Sequence, residues 1–195
     1  MNHKGVAAMQ GYFALATIIL LIILVLLRVF ILHKTGIKAM KFGGIDKKDF
    51  LIPLFALPLF YLIFANVLNL PKLGFELFNN EIIGWIGVVF CMLGLMLFLV
   101  SLISFGTSFR VGIDEDHPGA LVTTGIFAYT RNPIYTAFGA ILLGIFLIFP
   151  NWILLLYILA GLWLFNRQVL REEDSLKKIY GKDYTEYCKR VRRYF

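Results

Sequence analysis

Residues 133–165 read PIYTAFGAILLGIFLIFPNWILLLYILAGLWLF, and no charged side chain interrupts them. Pro150 and Asn151 divide the run into two apolar stretches, about Ile134 to Phe149 and Ile153 to Phe165. Proline cannot continue a helical hydrogen-bond ladder and asparagine favours turns, so the two stretches read as a tight helical hairpin. Water gives so long a run of unbroken apolar surface nowhere to go. A membrane does.

Working outward from the hairpin, three further spans precede it. A helix needs about 20 apolar residues to cross the hydrocarbon core. The first is Tyr12 to Leu32, whose single Arg28 lies near enough to the end to reach the headgroups. The segment HKTGIKAMKFGG follows it without a small-residue cleavage site, so the span reads as a retained anchor. The second is Phe50 to Leu70, with Pro53 and Pro58 predicting a kink. The third is Ile82 to Ser104, where Gly84, Gly87 and Gly94 permit close helix contact.

The bulk composition agrees. Hydrophobic residues make up 59% of the 195 and the mean hydropathy is +0.79, while only 16% are charged against the usual quarter or so. The expectation is an all-α integral membrane protein of about five transmembrane helices, ending in a cytoplasmic amphipathic segment. It forms a single domain over 1–195, with three spans in 1–104 and the polar motifs in 105–195. Cys91 and Cys188 sit in unlike surroundings and predict neither a disulfide nor a metal site. The formal charge of +7 flanks apolar helices without a nucleic-acid motif.

Those basic residues set the orientation. Lys34, Lys38, Lys41, Lys47 and Lys48 follow the first span, and a second basic group runs from Arg167 to Arg193, whereas Lys72 stands alone between spans two and three. The positive-inside rule then places the N-terminus outside and the C-terminus in the cytoplasm, in the cell's inner membrane. On that plan two polar clusters share the cytoplasmic side: TRNPIYT at 130–136 and REED at 171–174. Ionisable groups at membrane depth are rare and often functional, although interfacial Arg and Glu also serve as helix anchors and Tyr129, Tyr135 and Tyr157 also suit an aromatic belt. Asp114, Glu115 and Asp116 read as a solvated loop face and His117 as structural.

The ordered motifs narrow the choice. Leu121, Val122, Gly125 and Phe127 precede Arg131, Asn132, Pro133 and Tyr135. The hairpin follows, then Glu172 and Glu173, then Tyr180, Gly181, Tyr184 and Tyr187. This order and spacing over roughly the last 80 residues resembles the isoprenylcysteine carboxyl methyltransferase family, as a prokaryotic-type member, and more broadly the phospholipid methyltransferases. The resemblance implies S-adenosylmethionine-dependent methyl transfer to a lipid or lipidated acceptor, an isoprenylcysteine-type carboxylate or similar, at the cytoplasmic membrane face. Prenylated small molecules or peptides and membrane lipids are the implied partners. It also implies a cofactor pocket built from late membrane helices rather than a Rossmann unit, and no G-x-G-x-x-G strand-turn-helix is evident.

Carried onto this chain, the resemblance makes Arg131, Tyr135, Arg171 and Glu172 the catalytic candidates. Leu121, Val122, Gly125, Phe127, Arg131, Asn132, Pro133, Tyr135, Glu172 and Glu173 are the cofactor-binding ones. Glu172 or Glu173 would take the cofactor's ammonium and Arg131 a carboxylate. Gly125 would admit the adenosine, with Leu121, Val122 and Phe127 as its apolar wall. Two departures stand out. Asn132 replaces a histidine, and Gln168 replaces an arginine that orients the substrate carboxylate, leaving Arg167 and Arg171 as flanking substitutes. A nicotinamide-dependent membrane reductase and a non-catalytic scaffold are the alternatives.

Overall fold

The computed structural model describes residues 3–34, 51–68, 70–71, 73–108 and 119–194. The loop lysines 38, 41, 47 and 48, Lys72 and the Asp114–His117 group lie outside them. Five helices follow one another: α1 His3–Lys34, α2 Leu51–Val67, α3 Glu81–Phe105, α4 Pro133–Ile148 and α5 Trp152–Arg190. Two short 3-10 turns, Gly106–Ser108 and Gly125–Ala128, lie between α3 and α4. Two isolated bridges are the only extended pairing among the described residues.

Helices α1, α3 and α5 are long and apolar enough to cross a membrane, whereas α4, with 16 residues, and α2, with 17, are shorter apolar helices. At 1.5 Å per residue, the 16 residues of α4 span about 24 Å, short of a hydrocarbon core of about 30 Å. The chain is a multi-pass helical membrane protein. Its outer surface fits this solvent: Ile23, Leu26, Leu27 and Phe30 of α1 and Leu159 and Trp163 of α5 stand exposed. Lipid tails leave no hydrophobic gain for helices to associate, so packing must come from shape.

The shape comes from small residues. A Cβ at Gly87 would lie 2.6 Å from the carbonyl oxygen of Gly144, and one at Gly144 would lie 2.6 Å from that of Gly87 and 2.8 Å from the Cys91 nitrogen. Gly94 meets the Ala137 carbonyl and Ile141 just as closely. Helices α3 and α4 therefore lie backbone to backbone. Gly84, one turn earlier, makes room for Gln10 of α1, whose side chain donates to the Glu81 carbonyl at 2.9 Å. The three glycines of the third span serve the close contact expected of them.

The hairpin forms as its sequence dictates. Pro133 occupies the first turn of α4, where a missing N–H costs nothing. Asn151 caps α5 by accepting from the Ile153 amide at 2.8 Å, and Asn80 caps α3 likewise. Arg28 departs from expectation. Instead of reaching outward to headgroups, its guanidinium donates to the carbonyl of Gly106, the residue that ends α3. The exposed end of a helix offers unpaired carbonyls and a partial negative charge, which a nearby cation satisfies. Helix α5 runs past its apolar part through all the charged residues to Arg190, with a break at Gly181, whose φ of +53° suits glycine.

Candidate active site

Antiparallel packing brings the last turn of α3, the first of α4 and the charged part of α5 to one end of the bundle. There the chain after Gly181 folds back. Tyr180 donates to the Gly119 carbonyl, and Tyr187 donates to that of Phe127 at 2.6 Å. Burial pushes the Tyr187 phenol up to about 12, so it stays a donor. The segment from Val191 then runs beside Thr130: the Arg131 amide donates to the Arg192 carbonyl at 3.0 Å and the Thr130 hydroxyl to that of Arg193 at 3.3 Å.

This docking assembles a charged knot. Glu173 is 2% exposed. Its Oε1 accepts from Arg131 Nε at 3.1 Å, Arg131 Nη2 at 3.0 Å and Asn132 Nδ2 at 3.2 Å. Its Oε2 accepts from Arg193 Nε at 3.0 Å and Nη2 at 2.9 Å. Burial pushes its pKa up, but hydrogen bonds and charge from Arg193 and Arg131 outweigh that and hold it below the ordinary value. Arg131 also donates to the carbonyls of Cys188 and Val191, both at 3.1 Å. Four of the five N–H groups of its guanidinium are thus engaged within the protein.

The neighbouring carboxylate lives differently. Glu172 is half-buried, and its Oε1 accepts from the Tyr135 hydroxyl at 2.6 Å and from Gln168 Nε2 at 3.3 Å. Beside this pair lies an aromatic group. The Tyr135 ring is 5.8 Å from Phe165 and 6.4 Å from Phe138, and Phe138 stacks on Phe98 at 5.5 Å. Successive positions on a helix point about 100° apart, which is why one glutamate enters the knot and the other faces α4.

The structure thus brings Arg131, Asn132 and Glu173 into one network and Tyr135 and Glu172 into an adjoining one, with buried Pro133 between them at the start of α4. Arg171 is half-buried one residue before Glu172, and Leu121 and Val122 are half-buried in the extended segment before the 3-10 turn. Gly125 and Phe127 face α3. A Cβ on Gly125 would meet Ser104 Oγ at 2.6 Å, with φ at +63°, and the Phe127 ring lies edge-on against Phe105 at 4.5 Å. Sequence reasoning missed Arg193, Thr130 and the contact of Gln168 with Glu172. A second polar place, a cavity of about 540 Å³, lies at the opposite end of the bundle. Its amides serve helix ends: Asn80 and Asn151 cap, Asn66 bonds the Leu62 carbonyl and Gln10 that of Glu81.

Residues 82–183, just over half of the chain, match the family model described as phospholipid methyltransferase. The chain belongs to the phospholipid methyltransferase family. The match takes in α3, α4, the hairpin and both glutamates. Among curated relatives of this family member, the protein-S-isoprenylcysteine O-methyltransferase of Schizosaccharomyces pombe is 30% identical over 138 residues, covering 66% of this chain and 56% of the relative. That of Tribolium castaneum is 28% identical over 109 residues, covering 54% and 39%. The chain therefore spans little more than half the length of the first of these. The solved structure of the eukaryotic intramembrane Ras methyltransferase ICMT superimposes with a TM-score of 0.59 at 20% identity, covering 85% of this chain and 58% of that one. The helical fold is shared.

Proposed function

We propose that the protein transfers a methyl group from S-adenosylmethionine to the carboxylate of a prenylated cysteine, or a similar lipid-borne acceptor, at the cytoplasmic face of the membrane. One observation carries this reading: the half-buried Glu172 carboxylate gripped by Tyr135 at 2.6 Å beside the rings of Phe138 and Phe165, inside the matched region.

That donor set fits the cofactor. Glu172 suits its ammonium through a charge-assisted hydrogen bond, and aromatic faces suit a sulfonium. Glu173 is already filled by two guanidinia, so of the two glutamates Glu172 takes the ammonium. Arg131 has one N–H beyond those engaged for a carboxylate, and Arg171 stands on α5 directly before Glu172. Leu121 and Val122 form the apolar side for the adenosine. When bound, the cofactor supplies a methyl group already activated by its positive sulfur.

The chain's own residues have a lighter task than in a hydrolase. A carboxylate acceptor is ionised at neutral pH, so no side chain must remove a proton. Alignment and exclusion of water are what remain. A second reading rests on Gln168, which bonds Glu172 where the prenylcysteine enzymes present an arginine. With no guanidinium at that position, a lipid amine becomes the alternative acceptor.

The test is transfer of radiolabelled methyl from S-adenosylmethionine to N-acetyl-S-farnesylcysteine and, separately, to phosphatidylethanolamine, with protein in lipid nanodiscs. Base-labile label in the farnesylcysteine is expected. Label only in the amine lipid would replace the acceptor, and none in either by folded protein would refute the proposal.

A further inference from the structure

The short basic segment from Val191 onward holds the site together from outside. Its three backbone carbonyls at Val191, Arg192 and Arg193 accept from Arg131, from the Arg131 amide and from Thr130 and Asn132. Its Arg193 guanidinium closes on the second oxygen of Glu173 with two hydrogen bonds. Glu173 and Glu172 are adjacent on α5, and Arg131 and Tyr135 lie one turn apart across the start of α4. A shift at either end of the knot is therefore passed to the Tyr135–Glu172 pair. We infer that Arg193 is a positioning residue of the methyl-transfer site, holding Glu173 and Arg131 so that Tyr135 presents Glu172 to the cofactor. This rests on the functional reading above.

Two features separate positioning from simple stabilisation. The Arg193 side chain is 38% exposed while Glu173 is 3%, so the arginine adds little packing but supplies, among the described residues, one of the two guanidinium charges bonded to that carboxylate. The other groups facing it are Arg131, Asn132 and the neutral phenols of Tyr184, Tyr187 and Tyr194. Without Arg193, Glu173 keeps its burial with half its compensation. It then takes up a proton at a higher pH and releases Arg131, whereas a lysine keeps the charge.

The experiment is calorimetric titration of S-adenosylhomocysteine into full-length wild type, Arg193→Gln and Arg193→Lys in nanodiscs, from about pH 8 down to about pH 5.5. Thermal unfolding of each is followed in parallel. Arg193→Gln is expected to bind about tenfold more weakly, as loss of a charge-assisted bond implies. Its affinity should fall further toward low pH while that of the wild type stays level, and Arg193→Lys should recover most of both. Equal affinity and equal pH dependence in wild type and Arg193→Gln would overturn the inference alone. So would an Arg193→Lys loss as large as that of Arg193→Gln, or weaker binding that tracks only the unfolding midpoint. A folded wild type that binds nothing would instead sink the functional reading, and the inference with it.

Discussion

Replacing Glu173 with glutamine gives the sharpest contrast with its neighbour. The substitution keeps the side-chain volume and removes the charge that two guanidinia share. Arg131, with a side chain 10% exposed, keeps the Cys188 and Val191 carbonyls but loses its counterion. Breaking a buried pair by removing one partner costs about 3–5 kcal/mol. An amide still accepts one hydrogen bond, so the lower end of that range applies. Arg193, at 38% exposure, returns to solvent and adds no more than about 1 kcal/mol. For a chain of this size each kcal/mol moves the midpoint about 2–4 °C, so Glu173→Gln should unfold roughly 6–12 °C below wild type. Intrinsic fluorescence in detergent, with Trp85, Trp152 and Trp163 as reporters, reads this directly. Glu172→Gln, which weakens the bonds from Tyr135 and Gln168 at a half-buried position, should shift the midpoint by about 2 °C or less. If the two variants unfold together, the division of labour between the glutamates is wrong.

Three further outcomes follow from the same geometry. The depressed pKa of Glu173 means its stabilisation is fully present above its ordinary value of 4.5 and is lost as pH falls through the lower folded value. A midpoint-versus-pH curve should therefore drop in acid for wild type and flatten in Glu173→Gln. Gly144→Ala forces a methyl against the Gly87 carbonyl and should cost about 1–3 kcal/mol, whereas Gly139→Ala, whose Cβ meets only Leu162 at 3.6 Å, should be neutral in the same unfolding assay. Gly181→Ala meets no neighbour but must hold φ at +53°, so a loss of about 1 kcal/mol is expected there, again by thermal unfolding.

Much of this was legible in the sequence, for identifiable reasons. The hairpin boundaries came within one residue at Pro133, Ile148 and Trp152, because proline and asparagine act through local backbone chemistry. The glycines of α3 were legible because an all-apolar helix with small residues has few other uses for them. What local chemistry does not reveal is pairing at a distance. Glu172 and Glu173 look alike in sequence, and only the direction in which α5 presents each one separates them. Arg193 lay within a basic run whose charge read as orientation alone, so no local signal marked it as the partner of Glu173. Arg28 similarly reads as a snorkelling residue until the end of α3 is placed beside it.

The central claim is that Glu172, held by Tyr135, receives the cofactor. Titrating S-adenosylhomocysteine into the purified protein beside Glu172→Gln and Tyr135→Phe tests it most directly. Wild type is expected to bind, with a loss of about a hundredfold in Glu172→Gln and about tenfold in Tyr135→Phe, both variants remaining folded. Undiminished affinity in a folded Glu172→Gln would contradict it.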